Sequence, residues 1–514
     1  MVHRKFELKF AWLVVFWAGV SLLSFSQESF AQESFAEESF AQEPITIERA
    51  LEIAEENNPL MITSKLNLER TRFSLEALRA SLKSQFSLNL DPSGYSQTRR
   101  FDERLSQWYT NKTIGTGGTF RVQQPILWTD GTITLINRFG WQDNLSIVEG
   151  VENRNKAFTN NLNLRLDQPI FTYNRQKMDL KELEFSFENA GISYALQRLT
   201  TESRITDQFY DVYLAQENLE ISRNEFENAK LNYEIIKSKV EADLSAREEL
   251  FQAEVNLATS ESAIQQRIVN LENAKDALKQ TLGMPLANDI SVTADIDVHL
   301  MSIDAERAIQ NGLASRMELR QREIAIAQAD LQMIETKALN EFKGNLSLQI
   351  GILGDHERFT NMYDNPTQNP QITISLAVPI FDWGEKKARV KAQQTQQTIA
   401  KLNYENEKID IELEIRKTLR NLENLSNRIG IAEKTVRNAQ LTYDLNQIRY
   451  REGDITGMQI NQFQAQLSSA KITLVESKID YKTQMLNLKI ASLYDFEKDE
   501  AIVPVKEATY TGTR

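Results

Sequence analysis

The feature that most constrains the fold is a strand that runs directly into a very long helix, and it occurs twice. Residues 371–378 alternate apolar with small or polar side chains, the period-2 pattern of a strand with one apolar face. Pro379 ends this strand because it has no N–H to donate, and after Gly384 the apolar residues follow a helical period. The earlier junction, QPIF at 168–171, lies 210 positions before VPIF at 378–381. We therefore predict an internal duplication that joins strands to helices in each half.

The predicted repeats are residues 44–285 and 304–496, joined by an extended linker at 286–303 and followed by a polar, frayed tail at 497–514. The first has strands at about 85–171 and a helical hairpin at 175–285; the second has strands at about 344–381 and a hairpin at 385–496. The helix openings are offset by 258 but the junctions by 210, so the first repeat carries about 48 extra residues at about 95–145. We expect a long loop hairpin there, turning at Asp130-Gly131, with extra membrane strands as the alternative.

Each junction leads into a helix of about 70 residues, which is about 105 Å long at 1.5 Å per residue. An apolar heptad stripe begins at Ile205 and Phe209 and recurs in register at Ile415 and Leu419, which indicates coiled-coil packing. The helices break at 241–245 and 452–456, where Asp243 and Asp454 precede hydroxyl residues that we expect to cap the returning helices. Gly453 suits a left-handed turn.

Composition excludes several function classes. The chain of 514 residues has no cysteine and three scattered histidines, so we expect no disulfide framework, metal site, cofactor or catalytic cluster. A net charge of −13 argues against a nucleic-acid partner. A basic start and an apolar run predict a signal peptide at 1–26, with a single membrane anchor as the alternative. The QESFA repeats at 27–43 predict a low-complexity tether.

The predicted strands require an assembly. Four membrane strands per chain cannot close a barrel, because small barrels start near eight strands and open edges are costly in lipid. Three chains would supply about twelve strands. The predicted fold is therefore mainly α with a transmembrane β-barrel: an internally duplicated chain whose homotrimer forms a 12-stranded barrel, continued by a long α-helical coiled-coil barrel.

The residues resemble a family, the outer-membrane efflux proteins of the TolC type. The resemblance rests on the opening ITIERALEIAEENNP at 45–59, the QPIF and VPIFDWGEKKARV junctions, LGMP at 282–285 and the turn IRYREGD at 448–454. It implies a non-enzymatic exit duct in the cell outer membrane, in contact with outer-membrane lipid and with a long periplasmic extension. It also implies two partners, a periplasmic adaptor (membrane fusion) protein and an inner-membrane pump or ABC exporter, in drug or metal efflux or type I secretion.

The resemblance also implies site residues. Tyr450 takes the position of a tyrosine at the closed periplasmic entrance, while Gln459 and Gln462 take positions where the type member has entrance carboxylates. Ile455 takes the position of its gating arginine. The adaptor-contacting turns correspond to Glu241, Asp243 and Ser245 in the first repeat, and to Glu452, Gly453 and Thr456 in the second.

An acidic ring at the entrance would have to come from Glu241, Asp243, Glu452 or Asp454. We hypothesise that their threefold repetition favours cations at a narrow mouth. Single-channel recordings of the double variant Glu452→Gln/Asp454→Asn test this, and an unchanged ion preference would exclude it.

Two other classes of protein are alternatives. A periplasmic coiled-coil adaptor or structural protein without a pore would also be exported and helical, but it would not need apolar-faced strands joined to its longest helices. An extracellular hydrolase has no nucleophile motif or metal cluster in its favour.

Overall fold

The computed structural model describes residues 44–103, 106–148 and 150–502. The expected signal peptide, the tether and residues 503–514 of the tail lie outside this part of the chain. No described helix is long and apolar enough to cross a lipid bilayer.

The element order of helix pair, strands and helical hairpin occurs twice along the chain. The helices are α1 (Ile47–Asn57), α2 (Pro59–Ser81), α3 (Arg175–Glu241), α4 (Arg247–Leu282), α5 (Ala305–Ser315), α6 (Met317–Lys337), α7 (Glu385–Glu452) and α8 (Gly457–Ser492). The strands are β1 (Gln85–Asp102), β2 (Gln107–Ile126), β3 (Gly131–Val148), β4 (Val151–Ile170), β5 (Lys343–His356), β6 (Thr367–Gln368), β7 (Gln371–Ala377), β8 (Tyr494–Asp495) and β9 (Glu500–Ala501).

The described strands β1 to β7 form one antiparallel sheet in the order β1-β2-β3-β4-β5-β7, with the short β6 also paired to β5. The expected hairpin that turns at Asp130-Gly131 is confirmed, but the expectation that about 95–145 is a long loop is wrong, because β2 and β3 pair with their neighbours along nearly their whole length. Ladder pairing satisfies backbone groups that a loop would leave to water. The sheet therefore has six strands of seven or more residues, not the four that the sequence suggested.

The C-terminal tail also differs from expectation. Residues 500–501 pair with 494–495, and the Ile502 N–H donates to the Leu493 carbonyl over 2.9 Å. The first residues of the tail therefore pair with the segment that follows α8, and the predicted fraying at 497–502 is wrong.

Two apolar clusters lie where the short helices pack on the long ones. Phe209 and Leu278 are fully buried beside Ala50 of α1, and Ile415 and Leu488 are fully buried beside Ala308 of α5. Asn58 caps α2, and its side-chain amide donates to the Thr281 carbonyl over 2.6 Å. These contacts pack the short helices of each repeat against its long helical hairpin.

Candidate functional site

One face of the sheet is apolar across its strands. The register aligns Phe86, Val122, Leu135, Leu164 and Ile350 in one row. A second row on the same face consists of Ile133, Leu166, Leu348 and Ile372. Phe86 and Ile372 are 69% and 73% exposed in the single chain. A contiguous exposed patch of such side chains marks a surface that an apolar environment or a partner covers.

The opposite face is polar. Its central row consists of Gln123, Thr134, Arg165, Gln349 and Gln371. The Arg165 guanidinium donates to the Asp167 carboxylate over 2.7 Å, so charge on this face is partly compensated within it. This face suits contact with water.

The two edge strands of the sheet have no partner on one side within the described residues. In that part of the chain β1 pairs only with β2, and β7 pairs only with β5. Every residue of β7, and every residue of β1 whose side chain is described, is exposed. Long unpaired edges are templates for pairing with another strand.

Exposed aromatic side chains surround the helix end of the sheet. Trp128, Phe381 and Trp383 are 84%, 71% and 91% exposed, and the last two rings stack edge to face at 4.8 Å. Phe171 packs against Phe342 at 5.1 Å in the same region. Aromatic rings at such a boundary are typical of membrane–water interfaces.

At the far end of the helices, the two hairpin turns have the same backbone geometry at an offset of 210. In the first turn, the Leu244 N–H donates to the Lys239 carbonyl over 2.8 Å around Asp243, whose φ is +56°. In the second, the Asp454 N–H donates to the Arg449 carbonyl over 2.9 Å around Gly453, whose φ is +89°. Both are left-handed helix ends, as expected for Gly453 and less usual for an aspartate.

Only one of the two expected caps forms. The Thr456 hydroxyl accepts from the Gln459 N–H over 3.3 Å, and the Gln459 side chain accepts from the Thr456 N–H over 2.9 Å, which is a complete capping box. Ser245 does not cap α4: its hydroxyl donates to the Glu249 carboxylate, and the N-cap residue is Ala246, which has no side-chain acceptor. The expected cap at Ser245 was wrong because the helix begins one residue later.

Ala246 and Glu249 lie 210 positions before Thr456 and Gln459, so Ala246→Thr would supply the missing half of a capping box. We expect about 1 kcal/mol of local stabilisation. Amide hydrogen exchange at 247–250 should then slow about fivefold, because 1.4 kcal/mol corresponds to a factor of ten. Thr456→Ala is the matched control and should speed exchange at 457–460. Equal exchange rates in both variants and the wild type would contradict the proposed stabilising role of the capping box.

Tyr450 joins the two hairpins near their tips. Its hydroxyl donates to the Asn232 side chain on α3, and the Lys239 ammonium lies 5.6 Å above its ring. A methyl group on Gly457 would lie 3.3 Å from Ile236, so α8 approaches α3 closely here. Burial raises the pKa of Tyr450, and the nearby Glu249 charge adds to the effect. We call Asn232, Ile236, Tyr450 and Gly457 the tip contact.

Sequence reasoning missed Asn232. It is 8% exposed and lies one turn before the buried Ile236, so it is a polar residue at a buried position of an apolar stripe. The sequence does not mark Asn232 as a contact residue, because its partner lies 218 positions away.

The two glutamines at the expected entrance positions differ in their contacts. The Gln459 side chain forms part of the capping box, whereas Gln462 is exposed and lines an open groove of about 880 Å³ between α7 and α8. The four tip carboxylates are exposed and form no ion pair within the described residues: Glu241, Asp243, Glu452 and Asp454. Arg449 and Arg451 are exposed beside the second turn, so its charge is mixed.

Known proteins similar to this chain point to one family. The family described as "Outer membrane efflux protein" matches residues 345–492. The probable outer membrane lipoprotein SilC of Salmonella typhimurium is 19% identical over 299 residues, and the cation efflux system protein CusC of Escherichia coli (strain K12) is 20% identical over 293. Each alignment covers 56% of this chain and 62% of the relative, so the chain spans less than two thirds of these relatives.

Solved structures show the same fold. The CmeC outer membrane channel of Campylobacter jejuni has a TM-score of 0.67 at 17% identity, covering 88% of this chain and 87% of its own. The open state of the MtrE outer membrane channel of Neisseria gonorrhoeae has a TM-score of 0.62 at 14% identity, covering 88% and 90%. The resemblance predicted from the sequence motifs is confirmed.

Proposed function

This chain is similar to the outer membrane efflux proteins over residues 345–492, and we propose that it is one subunit of an exit duct in the cell outer membrane. The duct passively conducts cargo that an inner-membrane pump or ABC exporter delivers through a periplasmic adaptor. We propose efflux of small molecules as its role, with type I secretion as the alternative.

The observation that carries this proposal is the two-faced sheet joined to the long helices. The apolar rows would face hydrocarbon and the polar rows a water-filled lumen, as alternation in a membrane barrel requires. The exposed aromatic rings at the helix end would lie at the periplasmic interface. β2 and β4 have 20 residues each, against about 9 to 11 needed to cross the membrane, so they would extend beyond it.

The unpaired edges support an oligomer of identical chains. β1 runs away from the helices and β7 runs back towards them, so β7 of one subunit would pair antiparallel with β1 of the next. A barrel has no open edge, which lipid requires. We propose a homotrimer. Its barrel would have about 18 strands if all six long strands of each chain join the wall, against the twelve expected from the sequence.

The helices would continue the duct into the periplasm. α3 and α7 have 67 and 68 residues, hence about 100 Å each. α7 retains exposed apolar residues along its length, including Leu402, Ile409 and Leu445. We propose that neighbouring subunits cover this stripe by coiled-coil packing.

The helix tips are the proposed entrance. The tip contact holds the two hairpins of one subunit together, and the exposed turns at 241–245 and 452–456 would meet the adaptor. Arg449 and Arg451 lie beside Glu452 and Asp454, and Lys239 and Arg247 lie beside Glu241 and Asp243, so both turns carry mixed charge.

If β7 of one subunit pairs with β1 of the next, cysteines on these two strands should form disulfides between subunits. The chain has no cysteine, so a Leu88→Cys change on β1 can be combined in turn with Ile372→Cys, Ile374→Cys or Leu376→Cys on β7. Within one flat sheet these edges are about 24 Å apart at 4.8 Å per strand, far beyond disulfide reach. We expect oxidation of at least one pair in outer membranes to give bands of two and three linked chains on denaturing gels.

Each single cysteine variant is the control and should give at most two linked chains. If every pair gives only monomers, the edges do not meet and the proposed closure is wrong. A ladder that continues beyond three chains would reject the trimer but keep the closed wall.

A further inference from the structure

The second strands of two hairpins in the first repeat end in similar sequences. Residues 120–127 (FRVQQPIL) and 164–171 (LRLDQPIF) end β2 and β4 at an offset of 44. They share Arg, Gln, Pro and Ile at the same positions and exchange apolar for apolar residues at three others. This motif therefore occurs at the helix end of both hairpins, β1–β2 and β3–β4.

The glutamine of the motif makes equivalent contacts in both hairpins. The Gln124 amide donates to the Leu82 carbonyl over 3.1 Å and to the Pro125 carbonyl over 2.7 Å. The Gln168 amide donates to the Thr129 carbonyl over 2.7 Å and to the Pro169 carbonyl over 2.8 Å. Each glutamine thus ties the end of the second strand to the chain just before the first strand, and the two hairpins close in the same way.

The additional strands also have the faces that a wall requires. Val122 and Leu135 belong to the apolar row, while Gln123 and Thr134 belong to the polar row. Gly117 and Gly140 lie opposite each other, and a methyl group on either would come within 2.8 or 2.7 Å of a carbonyl oxygen on the other strand. Such close approach permits a bend between β2 and β3.

We propose that two additional strands, β2 and β3, widen the outer pore of this protein, so that all six long strands of its large sheet line the pore. The proposal rests on the trimeric duct proposed above. A barrel's diameter grows roughly linearly with strand number, so about 18 strands would give about 1.5 times the diameter of twelve. The pore in the membrane then admits bulkier solutes than a twelve-stranded wall, and selection by size falls to the helix tips.

Single cysteines in this cysteine-free chain test whether β2 and β3 lie in the wall. A water-soluble maleimide should label Gln123→Cys and Thr134→Cys in intact outer membranes, and should label Val122→Cys and Leu135→Cys at least tenfold more slowly. The controls on the other strands are Gln349→Cys for the polar face and Leu164→Cys for the apolar face. If Gln349→Cys reacts faster than Leu164→Cys but β2 and β3 react equally on both faces, the inference is wrong and the proposed duct is unaffected. If the two controls react equally, the proposed duct is wrong.

A deletion tests the width. Removing residues 104–149 would join β1 to β4 directly as one hairpin, because β1 and β4 run in opposite directions. We expect a trimer that still conducts but excludes poly(ethylene glycols) added from the outer side at a hydrodynamic diameter about 1.5-fold smaller. An unchanged size limit in a folded trimer would overturn the proposal, and the cysteine test decides it if the deletion does not fold.

Discussion

Ile372→Arg is expected to prevent the protein from assembling in a membrane. Ile372 lies on β7 in an apolar row and is exposed in the single chain. An arginine facing lipid near the bilayer midplane costs about 2 to 4 kcal/mol. Repeated in three subunits, this is comparable with the whole stability of an ordinary domain, about 5 to 15 kcal/mol. The measurement is the fraction of the protein recovered as trimer from purified outer membranes.

The neighbouring residue provides the control. Thr373 is on the same strand but on the polar face, opposite Ser347. Thr373→Arg would place the same charge in the water-filled lumen and should leave trimer recovery close to that of the wild type. If the two variants assemble equally well or equally badly, the assignment of lipid and lumen faces is wrong.

Tyr450→Phe is expected to open the periplasmic entrance. The change removes the hydrogen bond to Asn232 and leaves a nearly buried amide without its partner, which costs about 1 to 2 kcal/mol. If the three subunits open together, their losses add to about 3 to 6 kcal/mol. The equilibrium between closed and open entrance then shifts by a factor of about 10² to 10⁴, since 1.4 kcal/mol is tenfold. Single-channel recordings in planar bilayers should show a large increase in open probability.

Tyr443→Phe is the matched control, one heptad earlier on the same helix. Tyr443 is half-buried, and its hydroxyl forms no hydrogen bond with the part of the chain that the structure describes. It should behave as the wild type does. An equal increase in both variants would show that general loosening of α7, not the tip contact, controls opening.

The same contact has a predictable pH dependence. Burial raises the pKa of Tyr450 above its ordinary value of about 10, and the contact needs the protonated hydroxyl as donor. Its stabilisation is therefore fully present below pH 10 and is lost as the pH rises through the elevated pKa. The difference in open probability between Tyr450→Phe and the wild type should accordingly stay constant from pH 6 to pH 9.

The sequence by itself determined the elements with a strong local period. The strand-to-helix junctions, the helix lengths and the left-handed turn at Gly453 follow from periodicity, from proline and from glycine, which act over a few residues. The 210-residue offset between the repeats also predicts that the two hairpin tips are equivalent, and the two turns share one backbone geometry. The family resemblance also needed only motifs and their order.

Only the tertiary structure decided which distant residues meet. Whether residues 107–148 form a loop or join the sheet depends on their pairing with β1 and β4. Their alternation of apolar and polar residues is compatible with either outcome. The Tyr450–Asn232 contact joins residues 218 positions apart, so no local pattern could reveal it. Helix ends were misjudged for the same reason: the shift of one residue from Ser245 to Ala246 depends on how the turn packs, and propensity alone does not fix it.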